Sequence, residues 1–192
     1  MATTETNPHA AFHRTTEELQ AGLDHVRDSP VGRGTLELLI RRPSKGEREV
    51  LAEAALNSEV GVVGDRWITS SSRRTEDGSA HPDMQLNIMN ARAAALVAGP
   101  IERWPLAGDQ LYVDMNLTDE ALPFWTKLAI GTAIIEITDQ PHDGCAKFTE
   151  RFGIDASRFV NSPVGKELHL RGVNARVIQP GTIRPGDDIR FV

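Results

Sequence analysis

Hydrophobic residues fall in short runs separated by glycine, proline and polar clusters, which is the pattern of a chain built mostly from strands. Thr35-Leu36-Glu37-Leu38-Leu39-Ile40 reads as a strand that Pro43 ends. Residues 49–56 form a weaker partner, because their alanines disfavour a strand. Residues 60–65 read as a glycine-punctuated turn. Residues 84–89 alternate apolar and polar positions, as a half-buried strand does. Residues 111–113 with Leu117, residues 128–130, a hinge at Gly131, and residues 132–138 continue the series. Residues 173–178 and 187–192 close it. The polar stretch 70–82 reads as a long surface loop, a length that is often functional inside a compact domain.

Three helices interrupt the strands. Thr15 and Glu18 have capping-box spacing, and Leu19, Leu23 and Val26 follow at one helical face until Asp28-Ser29-Pro30. Asn90 can cap a helix over 91–98 that Gly99-Pro100 ends. A third helix starts at Cys145 and is expected to close at Gly153. The expected fold class is mainly β with some α: a closed or folded-over barrel with short peripheral helices and an N-terminal helix. Residues 1–30 are expected to be a polar tail and an appended helix, and residues 31–192 the barrel domain.

Composition narrows the function classes. The 192 residues are 40% hydrophobic and 25% charged, as in an ordinary globular domain. A net charge of −6 argues against nucleic acid as the main partner, because phosphate binding needs a basic surface. No apolar run is long enough to span a membrane. Residues 1–9 contain no apolar signal segment. The single cysteine excludes an internal disulfide, so a reducing, cytoplasmic location is expected. No G-x-S-x-G, P-loop or G-x-G-x-x-G sequence occurs.

The run Gln140-Pro141-His142-Asp143-Gly144-Cys145-Ala146-Lys147-Phe148 carries the chemistry. A lone cysteine is most often a small buried hydrophobe. Here it follows a strand and a turn and opens a helix, where peptide N–H groups favour a thiolate. Lys147 and Arg151 would add positive charge if turned that way, and His142 could exchange a proton with the sulfur. Such a sulfur could be a nucleophile, a persulfide carrier or a soft-metal ligand. His81, Asp83 and His142 do not have a standard zinc spacing. Asp65 and Asp187 follow glycines and are expected to bond local backbone. Trp67, Trp104 and Trp125 are expected in the core or lining a pocket.

The segment Gln140-Pro141-x-x-x-Cys145-x-Lys147-Phe148, continued by Arg151-Phe152-Gly153, resembles the cysteine segment of MOSC domains, named for the C-terminal domain of molybdenum cofactor sulfurase. The resemblance extends over residues 35–192. It takes in Gly64-Asp65-Arg66-Trp67, Leu86-Asn87-Ile88-Met89-Asn90, Gly108-Asp109 through Asn116-Leu117, and Leu128-Ala129-Ile130-Gly131. Arg171-Gly172-Val173 and Gly181-x-Ile183-x-x-Gly186-Asp187 complete it. The chain departs from the family pattern at Trp67, where a histidine is usual, at Met115, where a glutamate is usual, and at Gly144, where proline is frequent.

The resemblance implies a barrel that binds the molybdenum pyranopterin cofactor, carries sulfur or reduces N-hydroxylated compounds. It implies that Cys145 is the molybdenum ligand or the sulfur carrier and that Arg66, Asn116 and Arg171 hold cofactor or substrate, with His142 and Lys147 the local candidates to assist the sulfur. It makes three functions available: a molybdenum-cofactor oxidoreductase acting on a small substrate with electrons from a separate donor protein, a persulfide carrier served by a sulfur donor, and a binding barrel with an inert thiol. The departures at Trp67 and Met115 are expected to change the pocket wall.

Overall fold

The computed structural model describes residues 9–192. The tail expected over residues 1–10 lies mostly outside the described residues, and Ala10 already opens a short 3-10 turn, Ala10–Phe12. The N-terminal helix is two helices, α1 (Thr16–Ala21) and α2 (Leu23–Arg27), joined at Gly22. The capping box forms as the spacing predicts: Thr15 Oγ1 accepts from the Glu18 N–H, and Glu18 accepts from the Thr15 N–H.

The strands follow in the order β1 (Arg33–Arg41), β2 (Glu49–Val50), β3 (Ala54–Asn57), β4 (Gly61–Val62) and β5 (Leu86–Asn90). Helix α3 (Ala91–Ala98) comes next, then β6 (Leu111–Asp114), β7 (Lys127–Ile130) and β8 (Ala133–Thr138). The chain finishes with α4 (Ala146–Val160), α5 (Pro163–Glu167), β9 (Val173–Gln179), β10 (Gly181–Ile183) and β11 (Asp188–Phe191). Seven strands close a barrel in the order β1-β11-β7-β8-β9-β5-β6 and back to β1. The β5–β6 pair is parallel and the others are antiparallel. β10, β3 and β4 form a separate small sheet.

The barrel strands are buried on both faces. Leu36, Leu39, Ile88, Leu111, Val113, Ile135, Ile137, Val173 and Ala175 fill the interior, together with Leu56 and Ile183 of the small sheet. Leu38, Ile40, Met89 and Tyr112 point outward into a second core made with the helices. Leu36 and Leu39 share a face although they are three residues apart, because the β1–β6 register shifts between Leu36 and Leu38. Such a bulge resets the alternation of side chains. Leu19, Leu23 and Val26 belong to the second core, so α1 and α2 are built into the packing of the outer layer.

Two expectations need correction. Residues 49–56 are two strands with different partners, β2 on β1 and β3 on β4 and β10. Helix α5 and strand β10 were not anticipated. Gly153 ends the first helical segment of α4 where the sequence predicts a stop, and a second segment follows it. It takes φ +90 and kinks α4, with the His13 ring so close that a Cβ would lie 2.9 Å from it. The chain then turns helical again as far as Val160.

Candidate functional site

The kink in α4 places the start and end of that helix side by side. A straight helix of this length would hold its ends about 22 Å apart. Here the Asn161 Oδ1 accepts from the Gly144 N–H at 2.9 Å, and the Asn161 Nδ2 donates to the Gly144 carbonyl at 3.2 Å. The preceding segment is held from the barrel side. Asn174 on β9 donates to the Gln140 carbonyl (2.9 Å), and the Thr138 hydroxyl donates to the Asp83 carbonyl (2.6 Å). Asn174 in turn accepts from Asn87, which accepts from Arg42, whose guanidinium forks onto Asp65. The turn between β8 and α4 is therefore fixed at both ends.

Cys145 sits at the N-cap of α4 with an extended backbone and no side-chain capping bond. Its thiol is exposed. The sulfur thus stands at a helix start without being consumed by the helix.

Beside this turn lies a cleft of about 240 Å³, lined by Pro141, His142, Asp143, Val160, Lys166, His169, Arg171 and Phe124 among others. Arg171 is buried and directs one terminal nitrogen to both oxygens of Asp109, at 2.8 and 2.7 Å. Its other terminal nitrogen donates to the Ala107 carbonyl (3.0 Å), and its Nε has no partner. Burial pushes the Asp109 carboxyl up from the usual range, while Arg171 and Arg42 pull it down. The short two-oxygen contact with Arg171 is that of a carboxylate.

His142 is largely buried, with Nδ1 3.6 Å from Asp109, too far for a hydrogen bond, and that nitrogen has no other partner. Burial, with Arg171 and Arg42 nearby, holds its pKa well below that of ordinary histidine, so the ring is neutral near pH 7. The proximity of His142 and Asp109 is therefore not an ion pair; Asp109 is served by Arg171. Gly172 lets the chain make this approach: it takes φ +103, and a Cβ there would lie 2.1 Å from the Ile88 carbonyl oxygen.

The structure brings His142 and Arg171 together in the cleft; Cys145 follows the lining segment by two residues and is not itself a lining residue. Lys147 is exposed on the first turn of α4 and does not line the cleft. Arg151 turns away and donates to the Leu106 carbonyl (2.6 Å). Arg66 and Asn116 also lie outside the cleft lining. Arg66 belongs to the 3-10 turn Arg66–Thr69, where its N–H donates to the Arg42 carbonyl. Asn116 caps its own turn: its Oδ1 accepts from the Thr118 N–H at 3.0 Å.

Met115 is buried in the barrel interior and Trp67 is buried too, so neither departure from the family pattern forms the wall of this cleft. Trp104 is buried, whereas Trp125 is half exposed. Asp65 and Asp187 bond local N–H groups, of Trp67 and Arg184. Among the described residues no three His, Cys, Asp or Glu side chains are grouped to hold a metal ion. Asp109, Asn161, Asn174 and His169 were not singled out from the sequence. Asp109 had a visible signal, an acid directly after the Gly108 turn, but its partner lies 62 residues away.

Comparison with known proteins gives the same architecture. Solved structures with this fold include the YuaD protein of Bacillus subtilis (TM-score 0.60, 17% identity, 84% of this chain and 96% of that one). YiiM of Geobacillus stearothermophilus aligns with TM-score 0.57 at 16% identity, over 83% of this chain and 75% of that one. YiiM of Escherichia coli aligns with TM-score 0.53 at 22% identity, over 82% and 69%. No curated protein matches the sequence. The profile of the MOSC domain matches residues 69–190, well over half of the sequence, and the chain belongs to the MOSC domain family.

Proposed function

We propose that this protein binds the molybdenum pyranopterin cofactor through Cys145 and acts as an oxidoreductase on a small N-hydroxylated or related substrate. The observation that carries the reading is the free, exposed thiol of Cys145 at the end of a fixed turn whose earlier residues, Gln140 to Asp143, line a cleft. The cleft residues suit such a group: Arg171 Nε and His142 Nδ1 are buried polar atoms without protein partners. Buried polar atoms left unpaired are costly, and a bound ligand that supplies the missing bond recovers that cost. Bound there, the cofactor would supply two-electron redox chemistry at a metal for which thiolate is a suitable soft ligand.

The chain's own residues have distinct parts. Cys145 provides the sulfur. Arg171 offers an N–H from a guanidinium already fixed by Asp109. His142, being neutral, contributes a hydrogen bond without adding charge. Converting R–NHOH to R–NH₂ and water consumes two electrons and two protons. The electrons come from a separate electron-transfer protein and the protons from solvent. The exposure of Cys145 also favours a second reading, in which the thiol carries a persulfide for a protein partner.

One experiment separates the readings. The full chain and Cys145→Ser are produced in a molybdenum-competent host, then analysed for metal, for pterin fluorescence after oxidation and for persulfide by intact mass. The expected result is molybdenum and pterin in the wild type and neither in Cys145→Ser, with the same unfolding midpoint. Persulfide without metal would establish the carrier. Wild-type protein with neither, or a serine variant that keeps its molybdenum, would overturn the cofactor reading.

A further inference from the structure

Among the described residues two that are not glycine hold left-handed backbone: Trp125 at φ +69 and His169 at φ +46. His169 lines the cleft, and Trp125 follows Phe124, which lines it, without being a lining residue itself. His169 ends α5. The Leu170 N–H donates to the Gly165 carbonyl (2.8 Å) and the His169 N–H to the Lys166 carbonyl (3.2 Å). This two-bond helix ending usually places glycine at the left-handed residue. A histidine there, like a tryptophan at φ +69, forgoes the easier backbone and keeps a side chain.

Those side chains are held in place. His169 Nε2 meets Asp119 Oδ1 at 2.8 Å. In the neutral ring this leaves Nδ1 as the acceptor, and no described residue bonds to it. The Phe124 ring stands edge-on to His169, with centroids 6.3 Å apart and planes at 73°. The Arg176 guanidinium lies 5.7 Å from the centre of the Trp125 ring. Phe124 nevertheless keeps 39% of its surface in solvent, which leaves an aromatic ring exposed beside His169.

We propose that Phe124 and His169 form a clamp that selects a planar aromatic group on the ligand of the cleft, with His169 Nδ1 accepting a hydrogen bond from an N–H or O–H at its edge. The inference rests on the reading of the cleft as a substrate site, and it concerns the kind of substrate admitted. Two rings set nearly at right angles offer a face and an edge to a third ring, the geometry in which aromatic groups attract beyond simple burial.

Benzohydroxamic and acetohydroxamic acid serve as probes, one aromatic and one aliphatic. Their binding to the full chain is followed by tryptophan fluorescence and by the histidine resonances. Titrations in the Cys145→Ser background remove chelation by any bound metal. The aromatic probe is expected to bind about fivefold or more tightly than the aliphatic one. Phe124→Ala should erase that preference. His169→Asn, whose side chain tolerates left-handed backbone, should weaken both probes by about fivefold while the fold persists. Equal binding of the two probes, binding of neither, or a preference that survives Phe124→Ala would overturn the clamp. Unchanged binding by His169→Asn would overturn it as stated. A chain free of molybdenum that still prefers the aromatic probe keeps the clamp and sinks only the cofactor reading. A molybdenum-loaded chain without the preference does the reverse.

Discussion

Arg171→Met tests whether the floor of the cleft is electrostatically locked. The substitution keeps much of the side-chain volume and removes the guanidinium. Asp109, with none of its side chain in solvent, then loses both contacts at 2.8 and 2.7 Å. Breaking one side of a buried pair leaves an uncompensated charge and costs about 3–5 kcal/mol. In a domain of this size each kcal/mol moves the melting temperature by about 2–4 °C, so a fall of about 6–20 °C is expected. Asp109→Leu should cost a similar amount, because it strands Arg171. The double variant should recover about half or more of the summed loss, since a buried pair exchanged for apolar groups is close to neutral. Urea unfolding of the four proteins measures the cycle. A single Arg171→Met cost below about 1 kcal/mol, or a double variant no better than the sum of the singles, would refute the argument.

Two further outcomes follow from other sites. The folded-state pKa of His142 is depressed, so between its folded and unfolded values the unfolded chain binds more protons. Stability is fully present above about pH 6.5 and is lost as pH falls below it, by up to about 1.4 kcal/mol per pH unit. His142→Gln should flatten that part of a stability-versus-pH curve, and an unchanged slope would mean that His142 is free to protonate in the fold. Asn90→Ala should cost about 2–4 kcal/mol in urea unfolding, because Asn90 caps α3 through the Ala93 N–H and donates to both Ser29 Oγ and the Met115 carbonyl. A loss below about 1 kcal/mol would show that water replaces these bonds.

Local signals were readable in the sequence because each needs only a few residues. The Thr15 capping box, the Asn90 cap and the strand over residues 35–40 form where the spacing puts them. Helix α5 also had a legible start, Ser162 capping and Pro163 at the first helical position, but it is too short to show a periodic face. Gly153 reads as a stop because glycine usually ends helices, and its non-helical backbone does interrupt α4; the second segment, which runs on to Val160, was not anticipated. In the site, the cysteine at a helix start was visible. The Arg171–Asp109 pair and the Asn161 staple were not, because they join residues 62 and 17 positions apart with no pattern between them. Asn116 and Arg66 sit at recognisable motif positions, yet the Asn116 side chain bonds its own turn and Arg66 lies outside the cleft lining.

The pairing of β1 with β11 has a consequence for synthesis. Thr35 must wait for Asp188, about 150 residues later, before the barrel can close. At about 5–20 residues per second that is roughly 8–30 s during which the Arg33–Thr35 end of one margin of the first strand has no neighbour. The contacts at this margin are Arg33↔Arg190, Gly34↔Ile189 and Thr35↔Asp188. A charged residue and a glycine on the waiting strand are the kind of sequence that discourages another nascent chain from pairing there first. The seam that completes the barrel is thus also where its assembly stays open longest to mistaken partners.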